Sequence, residues 1–512
     1  MNGITDNGPT DGQWKIPCCT VVEFQKPSII STGIGFLDHM IDQFYSHAQI
    51  GISIQVQRNA TDTIAMIDNA AKIGHTDVDV AVDTDDHVVA GIHSTEYNNN
   101  NNNVNRHAKC NQTDLLAAVG TAIGTELRSL IVTKCSHYRY SNDSPLTSTF
   151  SCPLDEALTS CIIVMEQQPQ SPSNGESETS VSGALLKYTL SPYGIYPLHT
   201  GRTHIGTLQT AAIETFWKHL AISSGLIIQL TKVRGNNAHH IVESSFKAFA
   251  RALRNFLDNV NTVTTASSDI KEDTGSCALQ EMYGRTSNNF QASIELGRHA
   301  VILRTTKETS ISTELYFDGA KNGSQINTGI EKLDQFFNIL ASNANISLNV
   351  QCTGDLHIDE HHTAEDVAIS IGQVLNDALG DKAGLNRMWS CSEVISNRTH
   401  HQVHVTMDLS NRPCLTHNLS TILEHVEMIG DLSCEMLEHV LESIVVNARM
   451  TVHIVVETME DVDWINSNAR EEIIEKIILA VASTFGEALK FCSMVDSRRA
   501  GTTASSKGTL SV

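Results

Sequence analysis

Apolar and polar residues alternate with a period of two over 50–56, 346–350 and 450–456, which predicts half-buried strands. Over 241–257 and 367–379 the apolar residues recur every three or four positions, the spacing of an amphipathic helix. Strands and helices in this mixture predict an α/β (α+β) class. Four polar stretches interrupt the pattern and read as linkers or insertions: 58–109, which contains the run Asn98–Asn103, then 166–183, 263–276 and the tail after Ser497. With no apolar run near the ~18 residues needed to cross a bilayer, no membrane span is expected.

The chain repeats itself. From Thr32 and Thr328 onward, TGIGFLDHMIDQFYSHAQIGISIQV and TGIEKLDQFFNILASNANISLNV align without a gap. An order of helix, strand, polar loop and second helix recurs at 36–56, 216–256, 333–379 and 437–489, so each copy contains two similar half-units. The expected organisation is a first copy over 16–262 with insertions at about 58–109 and 166–183, a linker over 263–290, and a second copy over 291–512.

Composition narrows the function. In 512 residues, 35 basic against 58 acidic side chains give a net charge of −23, which disfavours a nucleic-acid or anionic-membrane binder; any anionic ligand needs a local cationic cluster. Twelve cysteines without a CxxC pair point to reduced thiols inside the cell. The polar start lacks an apolar signal core, so a cytoplasmic location is expected, with an organelle address left open. Histidine is the outlier, with 23 residues, several of them adjacent.

Position gives those histidines their meaning. His361-His362-Thr363-Ala364-Glu365 and His239-His240-Ile241-Val242-Glu243 share the pattern HHxxE. On a helix the two adjacent imidazoles diverge by about 100° while the glutamate lies beside both. Such a pair is poorly placed to chelate one ion but can serve two, with the carboxylate between them. His39 and His439 open the other helix of a half-unit; for each, a half-buried helix histidine bonded to a carbonyl is the competing reading.

The segments 354–388 (GDLHIDEHHTAEDVAISIGQVLNDALGDKAGLNRM), 32–43 (TGIGFLDHMIDQ), 236–254 (NNAHHIVESSFKAFARALR), 304–309 (RTTKET) and 505–508 (SSKG) resemble imidazoleglycerol-phosphate dehydratase of histidine biosynthesis. That family carries each motif once, so the chain resembles a tandem fusion of two diverged copies. The resemblance implies two mixed sheets flanking a four-helix layer in each copy, two Mn²⁺ per composite site, and a homo-oligomer; twelve chains would supply a 24-domain shell. The implied metal ligands are His39, His239, His240 and Glu243 in copy one, and His361, His362, Glu365 and His439 in copy two.

Each copy has lost what the other keeps. In copy one, Thr113, Asp114 and Ala117 replace the first HHxxE and Thr215 replaces the partner histidine; in copy two, Gln335 stands for His39 and Glu471, Glu472 and Glu475 for the second HHxxE. The remaining ligands sum to one complete set, so neither copy alone is expected to hold the metals. By resemblance, a phosphate substrate is held by Arg387, Arg412, Ser505 and Lys507 of copy two and Lys247 of copy one, where copy two has Leu479. Gln43 is implied as a substrate contact and Glu308 and Glu243 as acid/base groups, while Asp366 is either a partner of a ligating imidazole or a surface acid. The implied reaction removes water from imidazole glycerol phosphate to give imidazole acetol phosphate, two cations making the imidazole an electron sink. An inactive regulator and a metal-holding scaffold stay open as alternatives.

Overall fold

The computed structural model describes residues 18–23, 29–56, 112–135, 145–165, 185–265, 297–317, 323–395, 401–424, 426–457, 470–505 and 510. Both expected insertions, the asparagine run and Lys507 lie outside the described residues.

The repeat is visible in the hydrogen bonds that start its helices. The Thr32 N–H and Oγ1 both donate to Asp38 Oδ1 (2.7 and 2.6 Å), and Thr328 donates in the same way to Asp334 (2.8 and 2.7 Å). Between threonine and aspartate the chain turns at Gly33 (φ 85°) and Gly329 (φ 84°), a left-handed conformation that glycine adopts without a Cβ penalty. The helices that follow, α1 (Gly35–Ala48) and α5 (Glu331–Ala344), both stop at a left-handed residue, Gln49 (φ 56°) and Asn345 (φ 55°). The other long helices are α2 (Gln112–Cys135), α3 (Ile213–Ser224), α4 (Ala238–Thr265), α6 (His361–Leu379), α7 (Cys434–Asn447) and α8 (Arg470–Ser493). Helix α4 runs three residues into the stretch expected to be linker.

Among the described residues, beside two short two-stranded hairpins, four sheets of three or four strands accompany them. The first holds β1 (Cys18–Glu23), β2 (Ile30–Ser31) and β3 (Ile50–Gln55) in the order β1-β3-β2. The second holds β4 (Leu146–Leu154), β5 (Ala157–Met165), β6 (Leu186–Thr189) and β7 (Ile227–Arg234), ordered β4-β5-β7-β6. Copy two repeats that order twice, with β8 (His299–Thr305), β9 (Thr309–Tyr316), β10 (Gln325–Asn327) and β11 (Ser347–Gly354), then with β12 (Met388–Val394), β13 (Gln402–Asp408), β14 (Cys414–Thr416) and β15 (Thr451–Glu457). In each four-stranded sheet the short third strand runs parallel to the fourth and the rest are antiparallel.

The helices of each copy pair across its half-units. The leading helix of one half packs on the trailing helix of the other: α1 on α4, α3 on α2, α5 on α8 and α7 on α6. Close approach comes from small residues. A Cβ at Gly124 would lie 2.7 Å from the Leu220 carbonyl oxygen and one at Gly372 2.8 Å from that of Ile444; Gly120 and Gly486 meet Phe216 and Leu340 in the same way. Each copy is thus a layer of four helices between two mixed sheets.

Helix α2 is more apolar over its length than the sequence pattern suggested. Its segment Gln112–Lys134 contains an 18-residue window of mean hydropathy 1.5, long and apolar enough to span a membrane by composition. Thr121, Thr125, Glu126, Arg128 and Ser129 interrupt the segment, so it is not one unbroken apolar run. Half of that window is buried inside the fold, where α2 packs on α3 and on β1.

The two copies form one body through a continuous hydrophobic core. Strand β4 of copy one packs on β12, β13 and β15 of copy two. Phe150 meets Trp389 edge to face, and the buried Arg251 guanidinium donates to the side chain and the carbonyl of Asn386 (2.8 and 2.6 Å).

Candidate metal centres

Cross-pairing of the helices brings residues far apart in sequence to one point. In copy one, α1 supplies His39 and α4 supplies His239 and Glu243; in copy two, α7 supplies His439 and α6 supplies His361 and Glu365. In each triad the candidate ligand atoms all lie within 4.8 Å of one another. His239 Nε2 is 2.9 Å and His39 Nε2 3.7 Å from Glu243 Oε2; His439 Nε2 is 3.2 Å from Glu365 Oε1 and His361 Nε2 3.8 Å from Glu365 Oε2. Two imidazoles and a carboxylate suit Mn²⁺, Zn²⁺ or another first-row divalent ion, so the donor set fits a metal without choosing one.

The triads differ in their surroundings. Glu243 is buried and divides its oxygens: Oε2 faces the imidazoles while Oε1 takes the Lys247 ammonium at 2.7 Å. Burial alone would raise its pKa; the Lys247 charge and hydrogen bonds from His239, His39 and Lys247 outweigh it and hold the carboxyl far below the usual range. Four residues after Glu365 the chain has Ile369, so copy two has no lysine at that place. Gln43 is buried one turn beyond His39, with its Nε2 3.5 Å from His39 Nε2.

The eight expected ligands do not form one cluster within the chain. His240 and His362 stand outside the triads, each tied through Nδ1 to a carboxylate: Glu156 at 2.8 Å and Asp355 at 3.0 Å. Such a bond fixes the ring, and each Nε2 faces a second carboxylate, Asp155 Oδ2 at 3.6 Å for His240 and Glu308 Oε1 at 4.0 Å for His362. The hydrogen bond to Asp355 leads the influences that raise the His362 pKa, and although burial pushes Glu156 upward, its bonds to His240 and the Asn237 backbone bring it below the ordinary value.

Asp155, Glu156 and Asp355 carried no role in the sequence. Asp355 stood inside a motif without a partner to give it meaning; Asp155 and Glu156 were legible only as an acidic pair in a turn. Glu156 sits at the β4–β5 tip, the place Glu308 takes between β8 and β9, and Glu308 Oε1 lies 4.0 Å from His362 Nε2. Asp366 pins this second hairpin by accepting from Thr309 Oγ1 and Arg304, both at 2.6 Å. Buried and bonded to Arg304 and Thr309, it holds the Glu308 turn and is neither an imidazole's partner nor a surface acid, the two roles its sequence left open.

Copy two reaches the copy-one imidazoles through the β4–β5 tip. Arg412 Nε lies 3.3 Å from Asp155 Oδ1, and Asp155 Oδ2 lies 3.6 Å from His240 Nε2. Arg412 and Asp155 edge an open groove of about 740 Å³ between the copies, lined also by Asn411, Cys414 and Arg449. Arg387 is buried elsewhere, gripping both oxygens of Asp408 (2.7 and 2.8 Å) and the Ala504 carbonyl, which brings the start of the C-terminal loop and its neighbour Ser505 to the same place.

The buried His453 of β15 donates Nε2–H to the Asp155 carbonyl at 2.7 Å. Burial lowers its pKa from the ordinary 6.5 to about 4, the bond to Asp155 opposing. The folded state therefore takes up this proton less readily than the unfolded one. The associated stability, about 3 kcal/mol, is complete above pH ~6.5 and is lost as pH falls towards 4. His453→Gln keeps a donor without a titrating ring, and calorimetry is expected to show a flatter decline of Tm over that interval than in the parent.

Residues 86–253 and 328–485 each match the family described as Imidazoleglycerol-phosphate dehydratase. The chloroplastic imidazoleglycerol-phosphate dehydratase of Pisum sativum is 36% identical over 261 residues, 50% of this chain and 84% of the relative. That of Microcystis aeruginosa is 37% identical over 213 residues, 42% of this chain and 93% of its own. The crystal structure of the Staphylococcus aureus dehydratase matches 38% of this chain and 99% of its own at 26% identity, with a TM-score of 0.31.

Proposed function

The chain belongs to the imidazoleglycerol-phosphate dehydratase family, a family of hydro-lyases, and on that premise we propose that it catalyses the histidine-biosynthetic dehydration at composite sites made jointly by its two copies. The observation that carries this reading is the complementarity of the helix pairs: α1–α4 keeps a triad in copy one, α6–α7 keeps one in copy two, and the other two pairs have lost theirs.

Each triad offers three ligands and leaves coordination positions open. His240 and His362, oriented by Glu156 and Asp355, belong to neither triad of their own chain. We assign them to complete the opposite triad when copy one of one chain faces copy two of another. Two divalent ions held there, Mn²⁺ by family resemblance, supply Lewis acidity that turns the substrate imidazole into an electron sink.

The chain's own residues supply the rest. Glu308, half exposed beside His362, is the candidate to move the carbon proton and to assist departure of the hydroxyl; the Asp366 clamp on Arg304 and Thr309 holds it in place. Glu243 is a poorer base because Lys247 and two imidazoles already claim its oxygens. Arg412, at the mouth of the groove, is placed to receive the phosphate, with Ser505 and Lys507 as further members of that anchor; Arg387, clasped by Asp408, and Lys247, bound to Glu243, are not counted in it. Assembly into twelve chains and a cytoplasmic location remain part of this proposal.

The direct test is turnover of imidazole glycerol phosphate by the purified chain. Chelation is expected to abolish formation of imidazole acetol phosphate and Mn²⁺ to restore it, with two ions bound per chain. Two tightly held ions without turnover would reject the enzyme in favour of a metal-holding paralogue.

A further inference from the structure

One of the two decayed helix pairs carries its own cation. In α5–α8, Gln335 stands where α1 has His39, and Glu475 where α4 has Glu243. The Lys332 ammonium lies between these two side chains, 2.5 Å from Glu475 Oε1 and 3.3 Å from Gln335 Oε1. Its counterpart in the triad of copy one is Phe36, whose ring lies edge-on against His239 at 5.0 Å. Where the kept pair has an aromatic wall, the decayed pair has a positive charge aimed between the two inherited ligand positions.

The lysine is held there by its surroundings. Asp431 accepts from the backbone N–H groups of Glu331 and Lys332 at 2.6 and 3.0 Å, fixing the start of α5. Gly430 lies against the aliphatic stem so closely that a Cβ would come within 2.7 Å of it. Phe336, Leu437 and Ile478 line the small cavity beside the stem, so the apolar part is covered while the charged end reaches Glu475.

We propose that the Lys332 ammonium is a tethered replacement for a divalent ion in the α5–α8 pair. It neutralises the inherited carboxylate Glu475 without a diffusible cation and keeps this pair closed whether or not metal is present. The remaining divalent positions are then confined to the two triads. This last step rests on the reading of the triads as ion positions, so the test separates the two.

The test begins from the full chain carrying His239→Ala and His361→Ala, to which Lys332→Met is added. Bound Mn²⁺ is counted by electron paramagnetic resonance and Tm is measured with chelator and with Mn²⁺. With Lys332 present, Mn²⁺ is expected to leave Tm unchanged. Lys332→Met is expected to lower Tm in chelator by a few degrees, and Mn²⁺ is expected to reverse that loss with about one extra ion per chain, held by oxygens of Glu475, Glu471 and Gln335. Glu475→Gln added to Lys332→Met is expected to abolish the Mn²⁺ response, and Lys332→Arg, which keeps the charge, to show none.

An unchanged Tm in chelator, or no gain of Mn²⁺ on losing Lys332, overturns the proposal. So does a Mn²⁺ response with Lys332 in place that Glu475→Gln removes. If Lys332→Met does not fold in chelator, folding restored by Mn²⁺ supports the proposal and failure in both conditions opposes it. Retention of two ions by the His239→Ala/His361→Ala parent, insensitive to Glu475→Gln, would instead refute the triads as ion positions.

Discussion

Chains carrying His239→Ala and chains carrying His361→Ala, each inactive alone, are expected to recover about a quarter of wild-type dehydratase activity when refolded together in equal amounts. Each substitution removes an imidazole from one triad and leaves the other triad of the same chain intact. If a working site takes its copy-one triad from one chain and its copy-two triad from a neighbour, random mixing joins two intact triads at about one site in four. A site formed wholly within a chain would recover nothing, since every chain carries one damaged triad. The rescue is read as turnover per milligram after removal of unassembled protein, and its absence with both parents present in the assembly would sink the between-chain arrangement.

Glu308→Gln is expected to lower kcat by about 10²- to 10⁴-fold while leaving bound Mn²⁺ unchanged. The side chain lies on a hairpin tip 4.0 Å from the His362 imidazole but outside the triads, so its loss removes a proton-transfer group without removing a ligand. Glu156→Gln should behave differently. Its carboxylate holds His240 through Nδ1, so weaker metal affinity is expected to accompany the loss of rate. Steady-state kinetics beside metal counting separates the two glutamates; a Glu308 variant with normal kcat would remove it from the chemistry.

The duplication was legible because the TGIxxLD segments keep their spacing, and the same threonine–aspartate bond starts both helices. The triad members were legible as types, since HHxxE on a helix places imidazole beside carboxylate. That His39 and His439 would each meet only one imidazole of the adjacent pair, leaving His240 and His362 outside the triads, was not. That depends on each leading helix packing against the trailing helix of the other half-unit, a long-range choice made by contacts such as Gly372 against Ile444. Arg387 shows a second limit: a lone arginine looks alike in sequence whether it waits for phosphate or is clasped by Asp408. The role of Lys332 was invisible because only the fold reveals that a residue three before Gln335 reaches Glu475.

The seam between the copies is fastened from both sides. Arg251 of copy one holds the Asn386 backbone and Arg234 the Ile454 carbonyl at 3.1 Å, while copy two returns His453 to the Asp155 carbonyl. These grips do not depend on the peptide that joins the copies. Two polypeptides divided between positions 265 and 297 would therefore be expected to recognise each other as subunits, and the single gene product is in physical terms an obligate heterodimer with its stoichiometry written into the backbone.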